Sequence, residues 1–546
     1  MKTKHWLILI LAAAAILRLW NLSVGDLTGS DEVLYSFRAI GLLDFDLAKQ
    51  QTTPLEWTDP NVPWWAKLSF HDHPPLVFLV QNVFMKIFGE NYFAFRLPSA
   101  IFGVLSVYLV YLIIQQLNPS KKIALLASSF TAVTVNHVYI SRLAIQESYV
   151  IFFLLLGSLL FLKSLRQDKY LLWLGLALGL SFLTKYTTFI LVPIFISYLL
   201  FFQRDYFKNK KLWLAILMTL AISSPILIYN IQLYRNFGHF DFQISYIFGQ
   251  QPEVWKAAPG KEEIGSLMNR LRNFIPNLYK TNSPVFISLF FISIFSLMSR
   301  DKRFLDLSLF WLIILMFFVG PTNRFLTMLT PFIAMETAWF FNDKIKFISI
   351  LLSAFLIFEV LYSFNSQILA YPFGPQFWAF SKIRYDQYDW GYRELDKFLR
   401  KELEGKMPLM ALNLRYKFLE AIQNKAIAQG KAGDLEIYPA LIIYDYNFHE
   451  SAQLWNLERL QIYHAWPILK TEEYLSMLNQ NGSDFFEKAG IKTYYFIKPT
   501  EKLPLKRADK LTNAGALFEQ ELLKNNIFPA ALYNKRGDEV FRIYKF

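Results

Sequence analysis

Asp31 and Glu32 are adjacent carboxylates just beyond an apolar run from Trp6 to about Leu22. Such a pair can serve as a general base, ligate a cation, or place negative charge in the first turn of a helix. Ser30-Asp31-Glu32 also has the form of an ordinary helix start, with Ser30 capping and two acids behind it. Both readings stand. His71-Asp72-His73-Pro74-Pro75 is denser, but a His-x-His pair in a loop supplies at most two or three metal ligands. A substrate or phosphate contact from His73, stiffened by the two prolines, is the alternative. A third reading is an ordinary loop start before an interfacial helix.

Four cations and one acid stand at the ends of apolar runs: Arg96, Arg142 and Glu147, Lys185, and Arg324. Taken singly, each cation is an interfacial residue whose stem snorkels. Taken together at one depth, they suit a lipid phosphate or pyrophosphate, with arginine offering bidentate geometry. Arg18, near the far end of the first run, is expected to snorkel outward.

Long apolar elements must carry these groups. Of 546 residues, 54% are hydrophobic and only 18% are charged, against about a quarter charged in water-soluble proteins. A single soluble globule and a disordered chain are excluded. Cysteine is absent, which rules out disulfides, thiolate metal sites and a cysteine nucleophile. The net charge of +13 raises nucleic acid as a partner. However, the basic residues concentrate in short links such as 208–211 and 300–303, as in cytoplasmic loops of membrane proteins. No nucleic-acid partner is expected.

The first run is read as an uncleaved helix with a cytoplasmic N-terminus. Further spans are expected near 96–117, 122–140, 148–162, 170–184, 186–202, 212–230, 284–298, 305–320, 325–341 and 345–363. Segment 74–89 is short for a span and begins with two prolines. Treated as interfacial or re-entrant, it lets every basic link fall on one side. The expectation is therefore a mainly α polytopic membrane protein with about eleven spans and the C-terminus outside. The same parity puts the loops 23–95 and 231–283, and the links carrying Arg142, Glu147, Lys185 and Arg324, on the outer face.

Residues 364–546 read as a separate extracytoplasmic α/β domain after a membrane domain of 1–363. Helical periodicity runs over 390–403. Strand-length β-branched and aromatic runs occupy 441–446, 492–498 and 540–546, with turns at 481–484 and 534–539. No nucleotide loop, nucleophile motif or internal repeat is found.

The order of these motifs resembles the GT-C membrane glycosyltransferases, above all protein O-mannosyltransferases and the lipid A aminoarabinose transferase. The elements are Arg18, Asp31-Glu32, HPPL at 73–76, FGENYFAFRLPSAIFGVLS at 88–106, SRLAIQES at 141–148, GLALGLSFLTK at 175–185 and RFLTMLTPF at 324–332. No single string is diagnostic; their order along the spans is. The resemblance implies a polyprenyl-phosphate-linked sugar donor, transfer on the outer face, and an acceptor that is a protein, glycan or lipid hydroxyl. It implies Asp31 as catalytic base with Glu32 beside it, and His73, Arg96, Arg142, Glu147, Lys185 and Arg324 around the donor phosphate or sugar. Glu147 stands where the family often has Asp. The Asp-x-Asp pair of metal-dependent relatives is read as absent, so a metal-independent enzyme without a cofactor is expected, and one that inverts the anomeric carbon. The rivals are a transporter or flippase of an anionic lipid-linked substrate, which needs midplane charges and broken helices, and a non-catalytic scaffold.

Overall fold

A computed structural model describes residues 3–45, 52–255, 265–294, 302–341, 345–412, 414, 416–507 and 512–546. The chain forms two compact units. One comprises Met1–Ser23, Asp46–Pro54 and Pro63–Arg384; the other comprises Val24–Phe45, Leu55–Val62 and Tyr385–Phe546. Residues 364–384 thus belong with the helical unit. Arg300 and Lys344 of the basic links, and the end of the expected span 284–298, lie outside the described residues.

The helical unit is built from the apolar runs. Asn91 caps the helix Tyr92–Leu117, its side chain accepting from Ala94 N at 3.0 Å. The 26 residues of this helix reach about 39 Å at 1.5 Å each, enough to cross a bilayer with tilt. Glu147–Ser164 and Ser349–Gln367 are also long and apolar enough to cross. With two bent helix pairs counted as one span each, the described residues contain up to five such spans. Large apolar side chains on the last helix, including Ile350 and Leu351, lie exposed, as a lipid-facing surface requires. Leu76–Phe88 has only 13 residues, about 20 Å, short of a span.

Small residues let helices approach. A Cβ on Gly175 would stand 2.5 Å from the Ala215 carbonyl oxygen, so Tyr170–Phe182 and Lys210–Ile222 touch backbone to backbone there. One bent pair joins Lys121–Val133 to Val135–Ser141 at 62°. The break strips partners from the carbonyls just before it. Arg18 donates to two of them, Thr131 O at 3.2 Å and Ala132 O at 2.9 Å, and Ser363 Oγ donates to Val133 O. Arg18 is fully buried, so the snorkelling expectation is overturned: the orphaned carbonyls draw the guanidinium inward. Lys302, counted from sequence among the free basic links, is likewise buried, paired with Glu336 and 3.4 Å from Asp306.

The second unit holds a small two-stranded sheet and a five-stranded one. β1 (Lys406–Pro408) pairs in parallel with β2 (Glu436–Tyr438). β3 (Ala440–Tyr444), β4 (Ile468–Lys470), β5 (Thr493–Pro499), β6 (Ala530–Tyr533) and β7 (Glu539–Lys545) lie in the order β4-β3-β5-β7-β6. β3 runs parallel to β4 and β5, and β7 antiparallel to β5 and β6. All five residues of β3 are buried, as expected of a central parallel strand covered on both faces. Leu441, Ile443, Phe496, Phe518 and Tyr544 share one core cluster. The expected helix 390–403 is observed as Tyr392–Leu403.

Carboxylates from the early segments close two helices of this unit. Asp26 accepts from the backbone N–H groups of Gly391, Tyr392 and Arg393 at 2.9, 3.1 and 2.9 Å. Asp59 does the same for Lys417 and Phe418, at 3.1 and 3.2 Å. Each thus satisfies N–H groups that a helix start leaves open.

Burial, aided by the Asp389 carboxylate, pushes Asp26 up to about 7 against the pull of these donors. In the unfolded chain an aspartate loses its proton near pH 4, whereas folded Asp26 keeps it until about 7. Its contribution is therefore full below about pH 4 and declines as pH rises towards 7. Asp26→Asn should flatten that part of the stability–pH curve in thermal melts; an unaltered slope would contradict the assignment.

Candidate active site

Three of the sequence-nominated residues meet in the helical unit. Glu147 opens the helix Glu147–Ser164, where the macrodipole favours an anion. Lys185 precedes the 3₁₀ turn Tyr186–Ile190, and Arg324 lies in the short helix Asn323–Leu326. Lys185 Nζ is 2.6 Å from Glu147 Oε1, and Arg324 Nε is 3.7 Å from the same oxygen. The Phe325 ring lies under both cations, at 5.0 Å from Lys185 and 4.9 Å from Arg324. Two positive charges thus flank one buried carboxylate. The Arg324 side chain is 31% exposed and Lys185 only 8%.

Neighbouring polar groups fix this cluster. Thr327, one turn after Arg324, donates to Asn136 Oδ1 at 2.7 Å. Before Arg324, Asn277 donates to the Pro321 carbonyl at 2.9 Å. Tyr186, next to Lys185, donates its hydroxyl to Asp241 Oδ2 at 2.5 Å, and Asn230 Nδ2 reaches the same oxygen at 3.0 Å. Burial raises Asp241, while the Ile244 N–H and the Tyr186 and Asn230 donors oppose that rise. The loop after residue 237 is thereby tied to the turn that carries Lys185.

Arg96 and Arg142 have different surroundings. Arg142 donates to the carbonyls of Leu17, Arg18, Trp20 and Asn21 at 3.0, 3.1, 2.9 and 2.7 Å, closing the end of the first helix. Arg96 donates to Leu22 O at 3.2 Å and lies over the Tyr92 ring. These bonds make both arginines supports of the segment leading out of that helix. Arg18 also faces His137, whose Nδ1 is 2.7 Å from its guanidinium. Because arginine can only donate, this ring nitrogen is an acceptor and the ring is neutral.

In the histidine motif, Asp72 sits between two imidazoles, with Oδ2 2.9 Å from His73 Nδ1 and Oδ1 3.8 Å from His71 Nδ1. The His71 ring stacks on Trp255 at 5.6 Å, and its carbonyl accepts from Phe242 N at 2.9 Å.

The acidic pair lies in the other unit, in the first turn of the helix Ser30–Gly41. The residue preceding this helix is Gly29, without a side-chain cap, so Ser30 is not the cap that its sequence suggests. Glu32 is buried and accepts from Gln387 Nε2 at 3.0 Å; Asp31 is half-buried.

Sequence reasoning missed Tyr186, Asn230 and Asp241, although Asp241 ahead of a short apolar helix carries a capping signal. It also passed over Asp44-Phe45-Asp46, a literal Asp-x-Asp pair in the stretch 23–95. Asp44 lies 3.7 Å from Arg38, and Asp46 is outside the described residues.

Residues 72–229 match the family model described as dolichyl-phosphate-mannose-protein mannosyltransferase. The fold is similar to that of ArnT from Cupriavidus metallidurans in the apo state, with a TM-score of 0.52 at 10% identity, covering 100% of this chain and 98% of that one. Over residues 72–229 the chain is thus similar to this mannosyltransferase family, and its fold is that of a membrane glycosyltransferase of the ArnT kind. Among individual proteins, it is 29% identical over 239 residues to YkcB of Bacillus subtilis, a candidate mannosyltransferase, across 41% of this chain and 31% of that protein. It is 22% identical over 194 residues to an undecaprenyl phosphate-alpha-4-amino-4-deoxy-L-arabinose arabinosyl transferase of Proteus mirabilis, across 34% of this chain and 35% of that protein. The matches to these two curated relatives thus span about a third of each relative's length.

Proposed function

We propose that the chain transfers a sugar from a polyprenyl-phosphate donor to an acceptor hydroxyl at the outer membrane face, with inversion and without a metal. The observation that carries this reading is the cluster of Lys185 and Arg324 around Glu147, two cations on one carboxylate with a partly exposed arginine side chain. The names of relatives that use undecaprenyl phosphate support the donor class. The proposed topology keeps the eleven spans, with the N-terminus inside and the C-terminal domain outside.

In this mechanism, Asp31 takes the proton of the acceptor hydroxyl as its oxygen attacks the anomeric carbon. The bond from that carbon to the phosphate oxygen breaks, and the lipid phosphate leaves with the electron pair. Arg324 and Lys185 stabilise the charge developing on it. Glu147 keeps the two cations from repelling one another while the site is empty. His73 is assigned to the donor phosphate or sugar.

Arg324→Ala should weaken donor-lipid binding at least about tenfold, the worth of one charge-assisted hydrogen bond. Equal binding of a polyprenyl-phosphate sugar to variant and wild type, measured by calorimetry in detergent, would refute the phosphate assignment. Transfer should survive EDTA. Loss of transfer restored by Mn²⁺ would replace the metal-free mechanism and make Asp44 the first residue to substitute.

One observation favours the flippase reading: two bent helices, with Arg18 and His137 buried at one break. A flippase moves lipid-linked sugar without consuming it. Formation of a glycoconjugate together with free lipid phosphate separates the two.

A further inference from the structure

We propose that Gln387 is a positioning residue for Glu32 and offers a hydrogen-bond acceptor to the sugar acceptor, which makes the C-terminal domain part of acceptor recognition. This inference rests on the transferase reading above. The Gln387 side chain is buried, its Nε2 donates to Glu32 Oε2 at 3.0 Å, and its Oε1 has no hydrogen-bond partner among the described residues. A buried amide oxygen without a partner is costly. An O–H or N–H group beside the reacting hydroxyl of the acceptor would satisfy it.

The chain makes room for this amide. A Cβ on Gly29 would stand 2.9 Å from Gln387 Nε2, so a side chain there would push the end of this amide aside. Clamps on both sides hold the contact. Gly25 N donates to Asp389 Oδ1 at 2.8 Å, Asp26 N donates to Tyr388 O at 3.3 Å, and the Asp26 carboxylate receives three N–H groups of residues 391–393. The stretches 25–32 and 386–393 are thereby locked together on either side of the Gln387–Glu32 bond.

The amide donor fixes one carboxylate oxygen of Glu32, next to Asp31 in the same helical turn. Gln387 thus acts on the reaction through Glu32, while its own Oε1 reads the acceptor.

The test uses the full-length protein in nanodiscs, with a polyprenyl-phosphate sugar as donor. Gln387→Met keeps the length of the side chain and removes both hydrogen-bonding functions. It should lower kcat/KM for the acceptor about 10- to 100-fold, the worth of a hydrogen bond to a charged group. Donor-lipid binding and melting temperature should stay at wild-type values. In a double-mutant cycle, Gln387→Met should add little to the loss already caused by Glu32→Gln, because one group acts through the other. Multiplicative losses, or an unchanged kcat/KM in Gln387→Met, would overturn the inference while wild-type transfer leaves the transferase reading intact. Absence of transfer by the wild type would overturn both.

Discussion

Asp31→Asn is expected to lower sugar transfer by about 10²- to 10⁴-fold, the usual contribution of a positioned general base. Asparagine has the same shape and keeps an acceptor oxygen, but it cannot take the proton. Asp31 is half-buried in the first helical turn and the change removes no volume, so folding should be preserved. Donor-lipid binding should be unchanged, because that step is assigned to Arg324 and Lys185. The measurement is transfer at saturating donor, with binding followed separately. Wild-type rates in Asp31→Asn would remove this carboxylate from the mechanism.

The second large effect concerns stability. Lys185→Met should destabilise the helical unit by about 3–5 kcal/mol, because it leaves the buried Glu147 carboxylate without its close partner. Arg324 cannot take over, since it lies at 3.7 Å where Lys185 lies at 2.6 Å, and its side chain is partly solvated. Adding Glu147→Gln to Lys185→Met should recover most of the stability while donor binding stays weak. Melting temperatures of the two variants in detergent give the readout. If the double variant melts no higher than the single one, the pair is not the source of the loss.

Much of the helical unit was legible, because lipid exposure demands uninterrupted apolar runs. The expected span 96–117 lies within the observed Tyr92–Leu117, and 345–363 lies within Ile345–Gln367. Glu147, Lys185 and Arg324 were legible for a related reason: a charge at the end of such a run needs an explanation. Arg18 was misread because its partners are carbonyls at a helix break. The break at Thr134 carries neither proline nor glycine to announce it. In the second unit, β3, β5 and β7, of five to seven residues, match runs seen in the sequence. β1, β2 and β4 have three residues each, too few to show a period. Gln387 could not be found from sequence, since its partner Glu32 is 355 positions away.

The capping aspartates have a consequence for biosynthesis. Asp26 and Asp59 leave the ribosome some 365 and 358 residues before the amide groups they receive. Such distant closure is slow, and the intervening chain must be threaded into the bilayer first. Until then the early loop waits at the surface with its carboxylates hydrated, and two late helices lack their first-turn acceptors. Completion of the second unit therefore reports that the intervening chain has been inserted. A chain mis-threaded in the membrane would carry a second unit open to proteases.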